Sequence, residues 1–476
     1  MLWLTIVLVL FIFQTATILL LEFRDPEKTV AWLLILFILP IIGFVMYYFV
    51  AKEYRQRRIV RRKGFRALDE MQRSLAQSRE KLESLSDMSG YEIRQSPRLF
   101  GLLMNMPGSP ITKYNEVDVL TNAQHTYPAI LQAMEKAEHH IHFEYYTFRD
   151  DQIGREFAEM LIRKAQQGVK VRVIVDGVGS YKLKKAFLDR MKRAGVEVCC
   201  FLPLVFAFFD KRLNYRNHRK IVVVDGRIGF LGGINVGDEY LGRDMALGFW
   251  RDTHLQLKGD CIYYLQQTFL NDWEFTSKQK LTDPLLFPEH ERQSVTPVQI
   301  LPSGPDVHYD AIFELVFSAI TAGKRRVWIT TPYFIPDRSI QIALKTSALS
   351  GVDVRIIFPG LPDSRIVHLA TMSYVKELLH AGVKFYQYRK GFIHAKILLV
   401  DDLIATVGTA NMDMRSFFSN FEINAVFFDK PMIERLERDF IQDVRDSEEI
   451  LTAEFEKRSR VQRGKEAVAR LLSPLF

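Results

Sequence analysis

Cysteine is scarce in this chain. Cys199, Cys200 and Cys261 are the three cysteines among 476 residues, and no Cys-x-x-Cys pair or cysteine–histidine cluster accompanies them. Such a sequence has too few cysteines for a disulfide framework and offers no zinc-finger spacing. We therefore expect buried thiols in a reducing compartment.

Charge is missing from two long stretches near the N-terminus. Leu2 to Leu21 and Thr29 to Val50 contain no Asp, Glu, Lys or Arg, and about 20 apolar residues suffice to cross a bilayer. We predict a transmembrane helical hairpin over residues 1–50. The alternatives are a hairpin buried in a soluble core and a cleaved signal peptide. A signal peptide would need a basic n-region and a small-residue cleavage site, which are lacking.

A basic cluster follows the second uncharged stretch directly. It comprises Lys52, Arg55, Arg57, Arg58, Arg61, Arg62, Lys63 and Arg66. Under the positive-inside rule this side of the membrane is cytoplasmic. The net charge of +8 and the pI near 9.1 favour anionic partners, either nucleic acid or anionic lipid. We interpret residues 51–97 as a basic juxtamembrane helix and a linker. The bases either fix topology alone or also hold lipid head groups.

A five-residue pattern occurs twice in the chain. Histidine, lysine, aspartate, glycine and asparagine recur at identical spacing, 176 residues apart: His218, Lys220, Asp225, Gly232 and Asn235, then His394, Lys396, Asp401, Gly408 and Asn411. Apolar, β-branched residues follow each lysine and predict a buried strand. Residues two apart on a strand share a face, so each histidine and lysine point the same way, as an anion site requires.

The repeat extends beyond this pattern. Residues 141–148, 168–174 and 194–198 match 327–334, 351–357 and 381–385, and strand-like runs alternate with helical ones. Such alternation predicts βαβ units. We predict an α/β fold of two homologous lobes with mostly parallel sheets. The first lobe spans residues 98–290 and the second spans 291–476, including a basic C-terminal tail.

The double motif resembles the phospholipase D superfamily. Serine is common after the first glycine in that family, where this chain has Gly233 and Thr409. With the predicted hairpin, the layout is similar to that of bacterial cardiolipin synthases. The resemblance implies an enzyme of the bacterial plasma membrane, multi-pass, with its lobes on the cytoplasmic side. Its substrate would be phosphatidylglycerol, two molecules of which give cardiolipin and free glycerol.

Phosphodiester transfer without a metal or other cofactor fits these residues. Lys220 and Lys396, helped by the two asparagines, can neutralise the nonbridging oxygens. One histidine attacks phosphorus and the other protonates the leaving alkoxide. Motif symmetry leaves the choice open; the family's commoner arrangement assigns attack to His218 and acid–base work to His394. Gly232 and Gly408 let the backbone approach something closely.

Four carboxylates complete the candidate site. The resemblance makes Asp252 and Glu422, downstream of the two motifs, candidates for orienting the histidines; the alternative is that either is a surface carboxylate. Asp225 and Asp401 belong to the motif, but they stand at turns and are expected to hold the scaffold.

The sequence leaves alternatives for the function of the protein and for the placement of two segments. A phospholipase D-type hydrolase or a nuclease would use the same residues, although the hairpin disfavours nucleic acid as a partner. A noncatalytic lipid-binding scaffold would be expected to lack a motif histidine. The apolar insertion Leu202–Phe209 occurs in one lobe only, and it either dips into the bilayer or forms a buried strand. The tail from Val461 to Phe476 either lies on the membrane or packs on the core.

Overall fold

The computed structural model describes residues 2–21, 26–39, 43, 47, 92–203, 215–291, 294–306 and 309–473. The predicted juxtamembrane helix and most of the apolar insertion lie outside the described residues.

Two helices form the N-terminal part. They are α1 (Leu2–Leu21) and α2 (Pro26–Ile38), and they contact each other. Trp32 packs edge-on against Tyr47, with ring centroids 5.5 Å apart, beside Ile18 and Leu36. Among the residues described, no helix combines the length and hydropathy that a membrane crossing requires. The transmembrane hairpin therefore stays a prediction.

The first lobe is built on a seven-stranded sheet in the order β2-β9-β7-β6-β3-β4-β5. The strands of this part of the chain, including the short β1 and β8 that lie outside this sheet, are β1 (Ile111–Thr112), β2 (Asn115–Thr121), β3 (His140–Tyr145), β4 (Lys170–Asp176), β5 (Glu197–Phe201), β6 (Lys220–Val224), β7 (Ile228–Gly232), β8 (Phe249–Arg251) and β9 (Thr253–Gly259). The helices of this part of the chain are α3 (Pro97–Met104), α4 (Ala123–Glu135), α5 (Gln152–Gln166), α6 (Lys185–Arg193) and α7 (Ile262–Ser277).

The second lobe is built on a nine-stranded sheet in the order β1-β10-β19-β17-β16-β11-β13-β14-β20. Its strands, with the short β12, β15 and β18, are β10 (Val298–Ser303), β11 (Arg326–Thr330), β12 (Phe334–Ile335), β13 (Asp353–Pro359), β14 (Lys384–Tyr388), β15 (Gly391–Ile393), β16 (Ile397–Val400), β17 (Ile404–Gly408), β18 (Met412–Asp413), β19 (Glu422–Phe427) and β20 (Ser447–Glu449). The helices are α8 (Ala311–Ala322), α9 (Arg338–Leu349), α10 (Arg365–His380), α11 (Met414–Phe418), α12 (Lys430–Arg445), α13 (Thr452–Glu456) and α14 (Arg460–Leu471).

The two sheets repeat one strand order. The run β9-β7-β6-β3-β4-β5 in the first lobe has the same order as β19-β17-β16-β11-β13-β14 in the second. Each matched pair of segments in the sequence therefore lies at the same place in its own sheet. The prediction of two homologous α/β lobes is confirmed.

The prediction of mostly parallel sheets is wrong, because both sheets are mixed. Strands β3, β4 and β5 run parallel, as do β11, β13 and β14, but β6 and β7 form an antiparallel pair, and so do β16 and β17. Helical crossovers join only the parallel strands. The turns after β6 and β16 are too short for a parallel connection, which needs a dozen or more residues.

The motif aspartates hold those two turns. Asp225 and Asp401 adopt left-handed backbone conformations, with φ of 53° and 50°. The carboxylate of Asp225 accepts three backbone N–H bonds of 2.8 Å each, from residues 138 to 140 at the start of β3. Asp401 accepts the equivalent three bonds, of 2.7–2.9 Å, from residues 324 to 326 before β11. Each aspartate thus ties its hairpin to the central strand.

The segment just after residue 98 packs with the second lobe. Strand β1 pairs with β10 of the second sheet, and α3 buries Leu99 and Leu103 in the second lobe's core. A separate apolar core lies between the lobes and includes residues of both, such as Leu255 and Ile423. At the other end, α14 packs on α10, where the Arg470 guanidinium lies 4.4 Å from the ring centroid of Tyr374.

Candidate active site

Two backbone contacts between the lobes bring the motifs together. Strand β8 pairs in parallel with β15, and the His394 amide donates to the Arg251 carbonyl at 2.7 Å. On the other side the His218 amide donates to the Phe421 carbonyl at 2.9 Å. Each histidine therefore follows directly on a segment that is hydrogen-bonded to the opposite lobe.

Each histidine pairs with a carboxylate of the other lobe. His218 Nδ1 lies 3.0 and 2.9 Å from the two carboxylate oxygens of Glu422. His394 Nδ1 lies 2.8 Å from Asp252 Oδ2. Glu422 and Asp252 open the equivalent strands: Glu422 is the first residue of β19, and Asp252 immediately precedes β9. Because each histidine pairs with a carboxylate of the other lobe, both lobes are needed to form the site.

Burial keeps both histidines neutral. It lowers the pKa of His218 to about 4, against the opposing effect of Glu422. Burial and Lys396 lower the pKa of His394 to about 3. Although burial raises the pKa of each carboxyl, the paired histidine brings the net pKa of Asp252 and Glu422 below its ordinary value. A carboxylate only accepts, so each neutral ring carries its proton on Nδ1. The Nε2 lone pair is then free.

The two motif lysines are buried beside the histidines. Lys220 Nζ donates to the His218 carbonyl and Lys396 Nζ donates to the His394 carbonyl, both at 2.6 Å. Burial lowers the pKa of Lys220 to about 7 and that of Lys396 to about 8. A bound anion would favour the charged ammonium forms again.

The motif glycines allow close approach of neighbouring strands. A Cβ at Gly232 would lie 2.5 Å from the His254 Cα, and one at Gly408 would lie 2.0 Å from the Asn424 side-chain oxygen. A Cβ at Gly233 would lie 2.1 Å from Asp252 Oδ1, so glycine there makes room for the carboxylate. At the matching position, the Thr409 hydroxyl accepts from the Ile423 amide at 2.9 Å.

The two asparagines line the cavity but differ in their contacts. Asn235 Oδ1 accepts from the Thr147 amide at 3.0 Å, and its Nδ2 donates to the Tyr240 hydroxyl at 3.0 Å. The side-chain oxygen of Asn411 is buried without a hydrogen-bond partner within the part of the chain that is described.

The histidines and asparagines face one cavity of about 970 Å³. Asp225 and Asp401 do not line it, in keeping with their place at the turns. Several lining side chains were not identified from the sequence: Tyr146, Arg149, Arg216, Tyr240, Trp250, Tyr333, Arg415 and Asn420. Proximity to the motifs was the available signal for Arg216 and Trp250, which lie two residues before His218 and Asp252. Across the described residues, no three histidine, cysteine or acidic side chains converge as metal ligands would.

Aromatic rings contact both histidines. Tyr146 stands edge-on to His218 with ring centroids 5.0 Å apart, and Trp250 lies 5.3 Å from His394. Phe392 stacks on His394 at 5.9 Å. These rings fix the imidazole planes and contribute to the desolvation that lowers the pKa of each histidine.

Two His-x-Lys motifs facing one cavity from two homologous lobes define a site of the phospholipase D type. The fold agrees: phosphatidylserine synthase from Haemophilus influenzae superposes with a TM-score of 0.61 at 15% identity, covering 79% of this chain and 96% of that one. The family described as "Cardiolipin synthase, PLD-like domain" matches residues 130–273 and 316–444, and the chain belongs to that family.

Relatives and the N-terminal segment agree with this assignment. The cardiolipin synthase of Alkalihalophilus pseudofirmus is 43% identical over 478 residues, covering 99% of this chain and 94% of that protein. That of a Geobacillus species is 45% identical over 460 residues, covering 96% and 90%. A further family, described as the N-terminal segment of phospholipase D and nuclease proteins, matches residues 2–52. The resemblance inferred from the double motif is confirmed.

Proposed function

We propose that this protein is a membrane-bound cardiolipin synthase that transfers a phosphatidyl group between two phosphatidylglycerol molecules and releases glycerol. One observation carries the proposal: two neutral histidines, each held at Nδ1 by a carboxylate of the other lobe, face one cavity, and a buried lysine lies beside each histidine. That arrangement suits a nucleophile and an acid on opposite sides of one phosphorus atom. The names of the relatives supply the product.

In the first half-reaction, His218 Nε2 attacks the phosphorus of the donor lipid. A P–N bond forms while the P–O bond to the glycerol head group breaks, and the departing oxygen takes a proton from His394 Nε2. Glu422 stabilises the positive charge on the His218 imidazole as the adduct forms. Lys220 and Lys396, in their ammonium forms, neutralise the negative charge on the nonbridging oxygens.

His394 must be protonated to act as the acid. Its pKa is about 3 without ligand, and a phosphodiester anion in the cavity raises that pKa because the negative charge stabilises the imidazolium. Asp252 supports the same protonated form through its hydrogen bond to Nδ1. Substrate binding and acid activation are therefore coupled.

In the second half-reaction, neutral His394 accepts the proton of a hydroxyl group on a second phosphatidylglycerol. The hydroxyl oxygen attacks phosphorus, the P–N bond breaks and His218 is regenerated. Water at the same place would give phosphatidic acid instead, which is the hydrolase alternative. The noncatalytic alternative is disfavoured because both motif histidines face the cavity and each has a motif lysine buried beside it.

We further propose that residues 1–50 form a two-helix membrane anchor and that the lobes lie on the cytoplasmic side. The basic cluster after the second uncharged stretch supports this orientation. Phosphatidylglycerol and other anionic lipids are then the partners at the membrane surface.

The topology predicts protection of the lobes from outside. Protease added to intact cells should leave residues 100–470 uncut, whereas the same protease should cut them after the membrane is opened with detergent. Immunoblotting with an antibody against the second lobe measures both. Cleavage in intact cells would place the lobes on the outer side.

The proposed reaction predicts one lipid product and one soluble product. Purified protein on phosphatidylglycerol vesicles should give cardiolipin and glycerol in equal amounts, measured by mass spectrometry and a glycerol assay. His394→Ala is the inactive control, with turnover lowered by about 100-fold or more. Phosphatidic acid as the main product would identify a hydrolase. The absence of any turnover would favour the noncatalytic lipid-binding scaffold.

Removal of the two histidines should affect covalent labelling and cardiolipin formation differently. His218→Ala should abolish covalent labelling by a p-nitrophenyl phosphodiester and all cardiolipin formation, because no adduct can form. His394→Ala should still be labelled, since a p-nitrophenolate leaves without protonation, yet should fail on phosphatidylglycerol. An acid-quenched phosphoryl adduct mapped to residue 394 in the wild type would reverse the two roles.

A further inference from the structure

The two halves of the cavity differ in charge at positions that the repeat makes equivalent. Two residues before the motif histidine, the first lobe has Arg216 and the second has Phe392. Four residues after the motif asparagine, the first lobe has Glu239 and the second has Arg415. Arg216, Glu239 and Arg415 line the cavity. The two sides of the cavity therefore differ in charge although the repeat makes them equivalent in fold.

Three arginines around the cavity, Arg149, Arg155 and Arg216, have a carboxylate partner. Arg149 pairs with Glu239 at 3.0 Å, and Arg216 lies 3.8 Å from Asp176. In the catalytic cluster itself, the two motif lysines are balanced by the two carboxylates that hold the histidines. The cluster thus has little net charge before a substrate binds.

Arg415 differs from these three arginines. It is half-buried on the short helix α11, and among the described residues it forms no ion pair with a carboxylate. Its Nε donates to the Asn420 side-chain oxygen at 3.3 Å, and Asn420 Nδ2 donates to Glu422 Oε1 at 3.1 Å. The neighbouring Asp413 uses its carboxylate to cap α11, accepting from the Ser416 amide at 2.7 Å.

Arg415 and Arg216 are electrostatic neighbours on the His218 side. Burial lowers the pKa of Arg216, and although Asp176 opposes this effect, the positive charge of Arg415 adds to it. Two guanidinium groups that face one cavity repel each other, and an anion placed between them would remove that cost. Guanidinium also matches the geometry of phosphate oxygens, which it can bind with two N–H groups.

We propose that Arg415, which lines the same cavity as Arg216, binds a second phosphodiester: the one that the acceptor lipid carries. This inference rests on the proposed function and deepens it. An acceptor phosphatidylglycerol carries its own phosphate, which the three carbons of glycerol separate from the attacking hydroxyl. The two lysines already neutralise the reacting phosphate, so this second phosphate needs another cation. Arg415 would thereby select an anionic lipid over water or a neutral alcohol as acceptor.

Competition between two acceptors tests the assignment. The full-length enzyme is given phosphatidylglycerol vesicles and enough ethanol that the wild type makes cardiolipin and phosphatidylethanol in similar amounts. Arg415→Gln should lower the ratio of cardiolipin to phosphatidylethanol by about tenfold or more, while phosphatidylethanol formation persists. Arg415→Lys keeps the charge but loses the planar guanidinium, so its ratio of cardiolipin to phosphatidylethanol should lie between those of the wild type and Arg415→Gln.

Arg155 supplies the matched control. It also lines the cavity, but it is exposed and pairs with Asp150 at 2.8 Å, so Arg155→Gln should leave the ratio unchanged. A proportional loss of both products in Arg415→Gln would overturn the inference, because Arg415 would then serve the reacting phosphate or the fold. An unchanged ratio would overturn it as well. A wild type that makes phosphatidylethanol but no cardiolipin would overturn the proposed function, and this inference with it.

Discussion

The hydrogen bond between each histidine and the other lobe's carboxylate is the interaction on which the site depends. Nδ1 of His218 and of His394 is held at 2.8–3.0 Å by a residue that the fold supplies from across the interface. Without that partner the ring would be a buried, unoriented imidazole, and the carboxylate would be a buried, unpaired charge, which is strongly unfavourable. Docking of the lobes and completion of the site are therefore one event.

The remaining features of the site follow from this constraint. The carboxylates must begin β9 and β19, next to the interface, and the glycine-containing segments 232–233 and 408–409 must come close to these strands. The motif aspartates act at a distance, because their turns fix the hairpins on which the histidines and lysines stand. The lobes are equivalent in this framework, yet Arg216 and Arg415 have no counterpart of the same charge in the other lobe. The two sides of the cavity therefore differ in charge, which would let the proposed reaction distinguish the acceptor lipid from the donor lipid.

Much of this could be predicted from the sequence because it repeats. The recurrence of a histidine, a lysine and an asparagine at fixed spacing locates both halves of the site, and the matched segments locate the strands. The pairing of Glu422 with His218 could not be predicted, because the two are 204 residues apart and only the docked lobes bring them together. Sheet direction could not be predicted in full, because the helical crossovers between parallel strands are visible in the sequence, whereas a turn at Asp225 does not show that the next strand pairs back in the antiparallel direction.

The exchange of carboxylates between lobes is tested most directly by comparing four variants. Adduct formation with the p-nitrophenyl phosphodiester and turnover of phosphatidylglycerol are measured in Glu422→Gln, Asp252→Asn, His218→Ala and His394→Ala. The account predicts that Glu422→Gln shares the pattern of His218→Ala, with labelling slowed by about 100-fold, and that Asp252→Asn shares the pattern of His394→Ala, labelled but slow on the lipid. The opposite correspondence, with each carboxylate matching the histidine of its own lobe, would contradict it.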